Sequence, residues 1–194
     1  MKSVIIFGSE YGSSRQYAKM LSQHLQIECF DYKAFNVSDK CDVLIYIGSL
    51  YAGGVKGLVK TLNNYPPNHY KKLFVVTVGI ADPNDLKNTE TIKTRIYEQI
   101  PKSLDKGIEI FHVRGRLDYA KLNLRHTLMM KLLYQKAKRI PVDQRDKETQ
   151  DFISTYNKKV DFIEFDYLRP VIDRYRQIEK GIDGFLLSQT KGDL

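Results

Sequence analysis

The chain has 194 residues, with 31 Lys and Arg against 23 Asp and Glu, a net charge of +8 and a pI near 9.3. That length supports one full hydrophobic core and an elaboration, and the 42% apolar and 28% charged content is that of a globular protein. No apolar run approaches the ~18–20 residues of a membrane span. A strand begins within three residues of Met1 and leaves no room for a leader peptide, so a cytoplasmic protein is expected.

Two cysteines, Cys29 and Cys41, and four scattered histidines, His24, His69, His112 and His126, show no ligand-like spacing. Neither a metal site nor a disulfide framework is expected. The basic balance favours acidic partners or an anionic membrane surface; with no recognised motif beside it, it does not argue for nucleic acid.

The first predicted strand, residues 4–7, runs into Gly8 and then Ser9-Glu10-Tyr11-Gly12-Ser13-Ser14, before a helical pattern over 14–25 with Tyr17, Ala18, Leu21 and Leu25 on one face. A β-branched run, a hydroxyl- and glycine-rich turn and a helix start make an anion site, because the first backbone N–H groups of the helix point at the ligand. The loop has no Lys or Arg, no Gly-Lys-Ser/Thr ending and no G-x-G-x-x-G. It suits one phosphate monoester held by neutral donors rather than a nucleotide triphosphate or a dinucleotide. A serine helix cap alone would leave the same trace.

A short strand is expected at 27–32, and residues 42–48 form a continuous apolar strand of the kind buried on both faces of a parallel sheet. A helix follows over 55–65, stopped by Pro66-Pro67, then a second buried strand at 73–79. Next come a helix over 88–100 ending at Pro101 and a strand at 108–113. This alternation predicts a doubly wound parallel sheet. Three of its strands end in small-residue loops, Gly8-Ser9, Gly48-Ser49 and Gly79-Ile80-Ala81, on the side where such sheets bind ligands.

Beyond Val113 the alternation stops. Helices are predicted over 121–139 and 146–159, residues 160–165 read as a short strand or an approach to the last helix, and a terminal helix is expected over 167–180. Asp166 is its expected N-cap, Pro170 lies in its first turn, Gly181 stops it, and a loosely held tail follows to Leu194.

Ser9-x-Tyr11-Gly12-x-Ser14 between strand and helix resembles the phosphate loop of the flavodoxins. Ile47-Gly48-Ser49-Leu50-Tyr51-Ala52-Gly53-Gly54 resembles the flavodoxin loop that carries a flavin-stacking aromatic. The resemblance covers residues 1–113. It implies a flavodoxin-like α/β fold, a doubly wound five-stranded parallel sheet, in a single domain over 1–194 with a late helical insertion at 114–160.

It also implies FMN as cofactor. Ser9, Glu10, Tyr11, Gly12, Ser13 and Ser14 would hold its phosphate. Ser49, Leu50, Tyr51, Ala52, Gly53 and Gly54 would flank the isoalloxazine, with Tyr51 stacking on it. Val78, Gly79, Ile80, Ala81 and Asp82 would form the second flavin loop. That last loop has no aromatic residue, so either one flavin face is open to a flat substrate or quinone, or a distant ring such as Tyr119 covers it.

Arg114-Gly115-Arg116-Leu117-Asp118-Tyr119 with the following basic helix is similar to the flavodoxin-like, menaquinone-dependent protoporphyrinogen oxidases. That likeness implies an FMN-dependent oxidoreductase that takes electrons from protoporphyrinogen or a similar small molecule and gives them to a quinone. Arg114, Arg116 and Tyr119 are then the candidate substrate contacts. A soluble electron carrier and a flavin-free interaction domain are the alternatives; carriers are typically acidic, which this chain is not.

The 121–139 helix has two apolar rows, one with Leu122, Met129, Leu133 and Ala137, the other with Leu124, Leu128 and Leu132 among cations. A domain-surface helix needs only one such row. Either the next helix buries both rows, or the second meets a membrane surface, a quinone, another subunit or an anionic tetrapyrrole.

Overall fold

The computed structural model describes residues 1–36, 39–51, 54–100, 108–145 and 147–181. The expected alternation is present. Strands β1 (Ser3–Gly8), β2 (Cys29–Asp31), β3 (Cys41–Tyr51), β5 (Tyr70–Gly79) and β6 (Ile108–Arg114) make a parallel sheet in the order β2-β1-β3-β5-β6. A short strand β4 (Gly54–Val55) folds back antiparallel on the end of β3.

β-Branched and aromatic residues carry both faces of the sheet, and alternation along each strand divides them. Ile5, Phe7, Val43, Ile45, Ile47, Phe74 and Val76 face α1 (Ser13–Leu25) and α6 (Arg169–Glu179), against Tyr17, Leu21, Val171, Ile172 and Tyr175. Ile6, Leu44, Tyr46 and Val75 face α2 (Leu58–Asn64) and α3 (Leu86–Gln99), against Leu58, Leu62, Ile92 and Ile96. Each fully buried side chain of this size contributes about 1.5–3 kcal/mol.

The register sets the ligand face. Gly8 pairs with Gly48, Gly48 with Thr77 and Ser49 with Val78, so β1, β3 and β5 present their three loops side by side on one edge of the sheet. Gly8 has a packing reason to be glycine: a Cβ there would collide with the Lys56 carbonyl, which crosses over β1.

Several expected boundaries move for local reasons. Residues 55–57 are not helical: Val55 pairs with Leu50, Lys56 N–H donates to the Ser49 carbonyl at 3.0 Å, and Gly57 turns the chain at φ 78° before α2. Helix α3 starts at Leu86, since Asp85 accepts from the N–H groups of Lys87 and Asn88. Asp166 does not cap the last helix. It lies inside a 3₁₀ turn, Phe165–Leu168, and its carboxylate takes Arg169 Nε at 3.0 Å. Gly181 does end that helix, at φ 69° with its N–H on the Ile178 carbonyl. The expected loose tail, 182–194, lies outside the described residues.

Between β6 and α6 the chain builds a separate excursion. Strands β7 (Arg116–Asp118) and β8 (Lys159–Asp161) pair antiparallel, which settles the ambiguous segment near 160 as strand only through Asp161. Helix α4 (Leu124–Arg139) begins later than expected because Asn123 caps it, its side-chain oxygen accepting from His126 N–H at 2.9 Å. Helix α5 (Lys147–Thr155) is shorter than expected; Asn157 takes φ 60° and the chain turns into β8.

Tyr17 joins both roots of the excursion to the main domain. Its hydroxyl donates to the Arg114 carbonyl at 2.7 Å and accepts from Glu164 N–H at 3.2 Å. The roots also meet each other, with Phe162 N–H on the Gly115 carbonyl at 3.1 Å.

Candidate functional site

The loop after β1 owes its shape to Gly12, held at φ 94° as the residue before α1. L-residues with a Cβ avoid this left-handed region. Gly12 N–H donates to Ser9 Oγ at 3.0 Å, which tightens the turn. No side chain caps α1 and its first turn holds no acid. Its leading N–H groups have no intrahelical acceptor and concentrate positive potential at the loop.

The hydroxyls are less free than the sequence suggests. Ser14 is fully buried and shares a 2.8 Å hydrogen bond with Ser49 Oγ, tying the first loop to the second. Ser13 Oγ accepts from Arg116 N–H at 3.1 Å. Glu10 ion-pairs with Lys56, whose ammonium lies 5.4 Å from the centre of the Tyr51 ring. A lone carboxylate in an anion-binding loop requires such a cation, and that requirement is the signal by which sequence reasoning could have found Lys56.

A cavity of about 880 Å³ opens above the three loops. Its wall takes Glu10, Tyr11 and Ser13 from the first, Ser49, Leu50, Tyr51 and Gly54 from the second, and Val78, Gly79, Ile80, Ala81 and Asp82 from the third. Ser9, Gly12 and Ser14 shape the first loop from behind. Ala52 and Gly53 lie outside the described residues. The cavity continues beneath the excursion along Ile92, Arg95, Ile96, Met129, Leu133, Lys136 and Phe152.

Arg114, Arg116 and Tyr119 all reach this wall, each in a different setting. Arg114 Nε donates to the Ile80 carbonyl at 3.0 Å and its guanidinium stacks 3.7 Å from the Phe162 ring centre, which fixes the third loop. Arg116 lies against the first loop, with Nη2 3.6 Å from where a Cβ on Gly12 would stand and Nη1 3.7 Å from Asp161. It supplies the cation that the loop itself lacks. Tyr119 presents a buried hydroxyl with no partner among the described residues, its pKa pushed up to about 12 by burial, and packs edge-on to Tyr156.

Sequence reasoning passed over His126. It projects from α4 into the site, 5% exposed, with Nδ1 on the Tyr11 hydroxyl and Nε2 on the Tyr51 hydroxyl at 2.7 Å. One imidazole thus bridges the first and second loops and holds both tyrosine rings at its edges, with centres 5.5 and 5.0 Å away. No group of three or more His, Cys, Asp or Glu able to hold a metal occurs among the described residues.

FMN is the cofactor that the fold implies, and the residues fit it. An uncapped helix start with Gly12 in the left-handed turn and Arg116 beside it suits a phosphate. The Tyr51 ring, 39% exposed on the cavity wall, offers a flat face.

Comparisons with solved structures return matches of low similarity. A flavoprotein in complex with FMN from Lactobacillus acidophilus is 12% identical, with a TM-score of 0.43 over 58% of this chain and 91% of that one. The Trp repressor binding protein of Bacillus subtilis is 19% identical, with a TM-score of 0.39 over 59% and 83%. A cysteine-to-alanine mutant of flavodoxin from Pseudomonas aeruginosa is 18% identical, with a TM-score of 0.33 over 70% and 95%. No curated protein matches the chain at a significant level. The flavodoxin-domain family matches residues 4–142, from β1 through the end of α4, and the chain belongs to that family.

Proposed function

We propose that this protein is an FMN-dependent oxidoreductase whose substrate is a largely apolar small molecule bearing anionic groups, such as protoporphyrinogen, and whose acceptor is a quinone. The observation that carries this reading is the extent of the cavity. Its volume falls within the ~300–1,000 Å³ of small-molecule sites. It runs from the phosphate loop past the third loop into an apolar compartment walled by Ile92, Ile96, Met129, Leu133 and Phe152, with Arg95 and Lys136 on its wall. An electron carrier that docks on protein partners has no use for such a compartment.

FMN, when bound, supplies the hydride and electron chemistry. The chain supplies binding and orientation. The start of α1, Ser13 and Arg116 would hold its phosphate; Tyr51, fixed by His126, would offer its ring to the flavin; and Arg114 keeps the third loop in place through Ile80. With no aromatic from Gly79 to Pro83, the flavin face away from Tyr51 would be open to a second flat molecule. Tyr119 offers that molecule a hydroxyl.

The test is an FMN titration of the purified protein, followed by anaerobic addition of protoporphyrinogen and then of a menaquinone analogue. Stoichiometric binding, bleaching of the flavin bands by the porphyrinogen and their return with quinone support the reading. Bleaching by dithionite but not by porphyrinogen moves the assignment to the carrier, and failure to bind FMN overturns both.

A further inference from the structure

We propose that α4 docks this protein on an anionic lipid surface, with Leu124, Leu128 and Leu132 entering the headgroup boundary. The helix has three distinct faces. One is fixed to the domain by the buried His126 and Ala137, and a second, with Met129 and Leu133, walls the cavity. The third carries Leu124, Leu128 and Leu132, one turn apart and 89%, 59% and 63% exposed. Helix α5 packs on α4 and leaves this row open, so the expectation that the following helix buries both apolar rows does not hold.

Charge selects the occupant. Residues 121–139 contain six Lys and Arg and no Asp or Glu. By helical phase Arg125 and Lys136 run along one side of the leucine row, Lys131 and Lys138 along the other, and Arg139 closes its end. Lys121 is paired with Asp118 at 3.9 Å. Arg125, Lys131, Lys136, Lys138 and Arg139 have no carboxylate partner among the described residues.

A second copy meeting this face about a two-fold axis would set cations against cations. An anionic bilayer complements both features, since apolar side chains enter the acyl boundary while the flanking cations meet lipid phosphates. No helix among the described residues is long and apolar enough to cross a membrane, so the geometry is that of a helix lying in the interface plane. Because the neighbouring face of α4 walls the cavity, docking sets that cavity beside the lipid, where a lipophilic acceptor resides. The lipid contact rests on α4 alone and stands or falls independently of the cofactor.

The experiment is sedimentation of the full chain with vesicles of mixed phosphatidylcholine and phosphatidylglycerol, and with phosphatidylcholine alone. It compares wild type, the triple variant Leu124→Gln/Leu128→Gln/Leu132→Gln and the double variant Arg125→Gln/Lys131→Gln. Glutamine keeps helix propensity and all five positions are on the helix surface, so melting temperatures should match. Expected are binding to the mixed vesicles that weakens with salt, an affinity loss of about tenfold or more in the triple variant, and about fivefold per cation removed. Absence of binding at low salt, equal binding by the triple variant, or a leucine-dependent dimer in light scattering would each overturn the proposal. FMN titration on the same samples separates this outcome from that of the redox reading.

Discussion

At the scale of single residues, three positions set the behaviour of the site and of the core beside it. Gly12→Ala puts a Cβ at φ 94°, which costs about 1–2 kcal/mol of stability and distorts the N–H cradle. A lower melting temperature and a weaker FMN titration are expected together. His126→Leu leaves two tyrosine hydroxyls without their shared partner, at a cost of about 2–3 kcal/mol. His126→Gln, which can serve both hydroxyls, should recover much of that loss in urea denaturation, and a cofactor-affinity defect should recover with it. His112, behind the third loop, has its pKa lowered from 6.5 to about 4, first by burial and then by Lys93. The folded state therefore resists a proton that the unfolded chain takes up below pH 6.5. The contribution is complete above that pH and is lost as the pH falls to about 4, by up to about 3 kcal/mol. Urea midpoints measured across that window should fall less steeply for His112→Gln than for wild type.

At the scale of elements, the sheet carries a buried core on each face and was largely legible in advance. Runs such as Val43-Leu44-Ile45 and Phe74-Val75-Val76 are apolar on every residue, which only a strand covered on both faces tolerates, and both are fully buried. Phe74→Ala should cost about 3–5 kcal/mol in a denaturant midpoint, because the sheet cannot close over the lost ring. The three strand-end loops were legible for a related reason: small residues directly after a buried strand mark a backbone that must turn close to something. The return of Val55 onto Leu50 was not legible. It depends on the left-handed turn at Gly57 and on a hydrogen bond to Ser49, and local periodicity carries no trace of either. His126 escaped for the same reason at longer range. Its helical phase places it on an inner face, but its partners, Tyr11 and Tyr51, lie 115 and 75 residues away along the chain.

At the scale of the molecule, the positive charge and the apolar ridge gather on an excursion that begins and ends at one place. Gly115 and Phe162 are joined by a backbone hydrogen bond, and one tyrosine, Tyr17, holds the residue before the first and a residue beyond the second. The 46 residues from 116 to 161 therefore leave and rejoin the main domain at a seam no wider than a hairpin. A chain in which a short turn joins Gly115 to Phe162 should keep a cooperative melt and the two-faced sheet core while losing the apolar compartment and the lipid contact, as calorimetry and vesicle sedimentation would show. A seam that narrow lets the segment between diverge in length, charge and partner without renegotiating the fold beneath it, so variation among relatives of this protein should concentrate between those two residues.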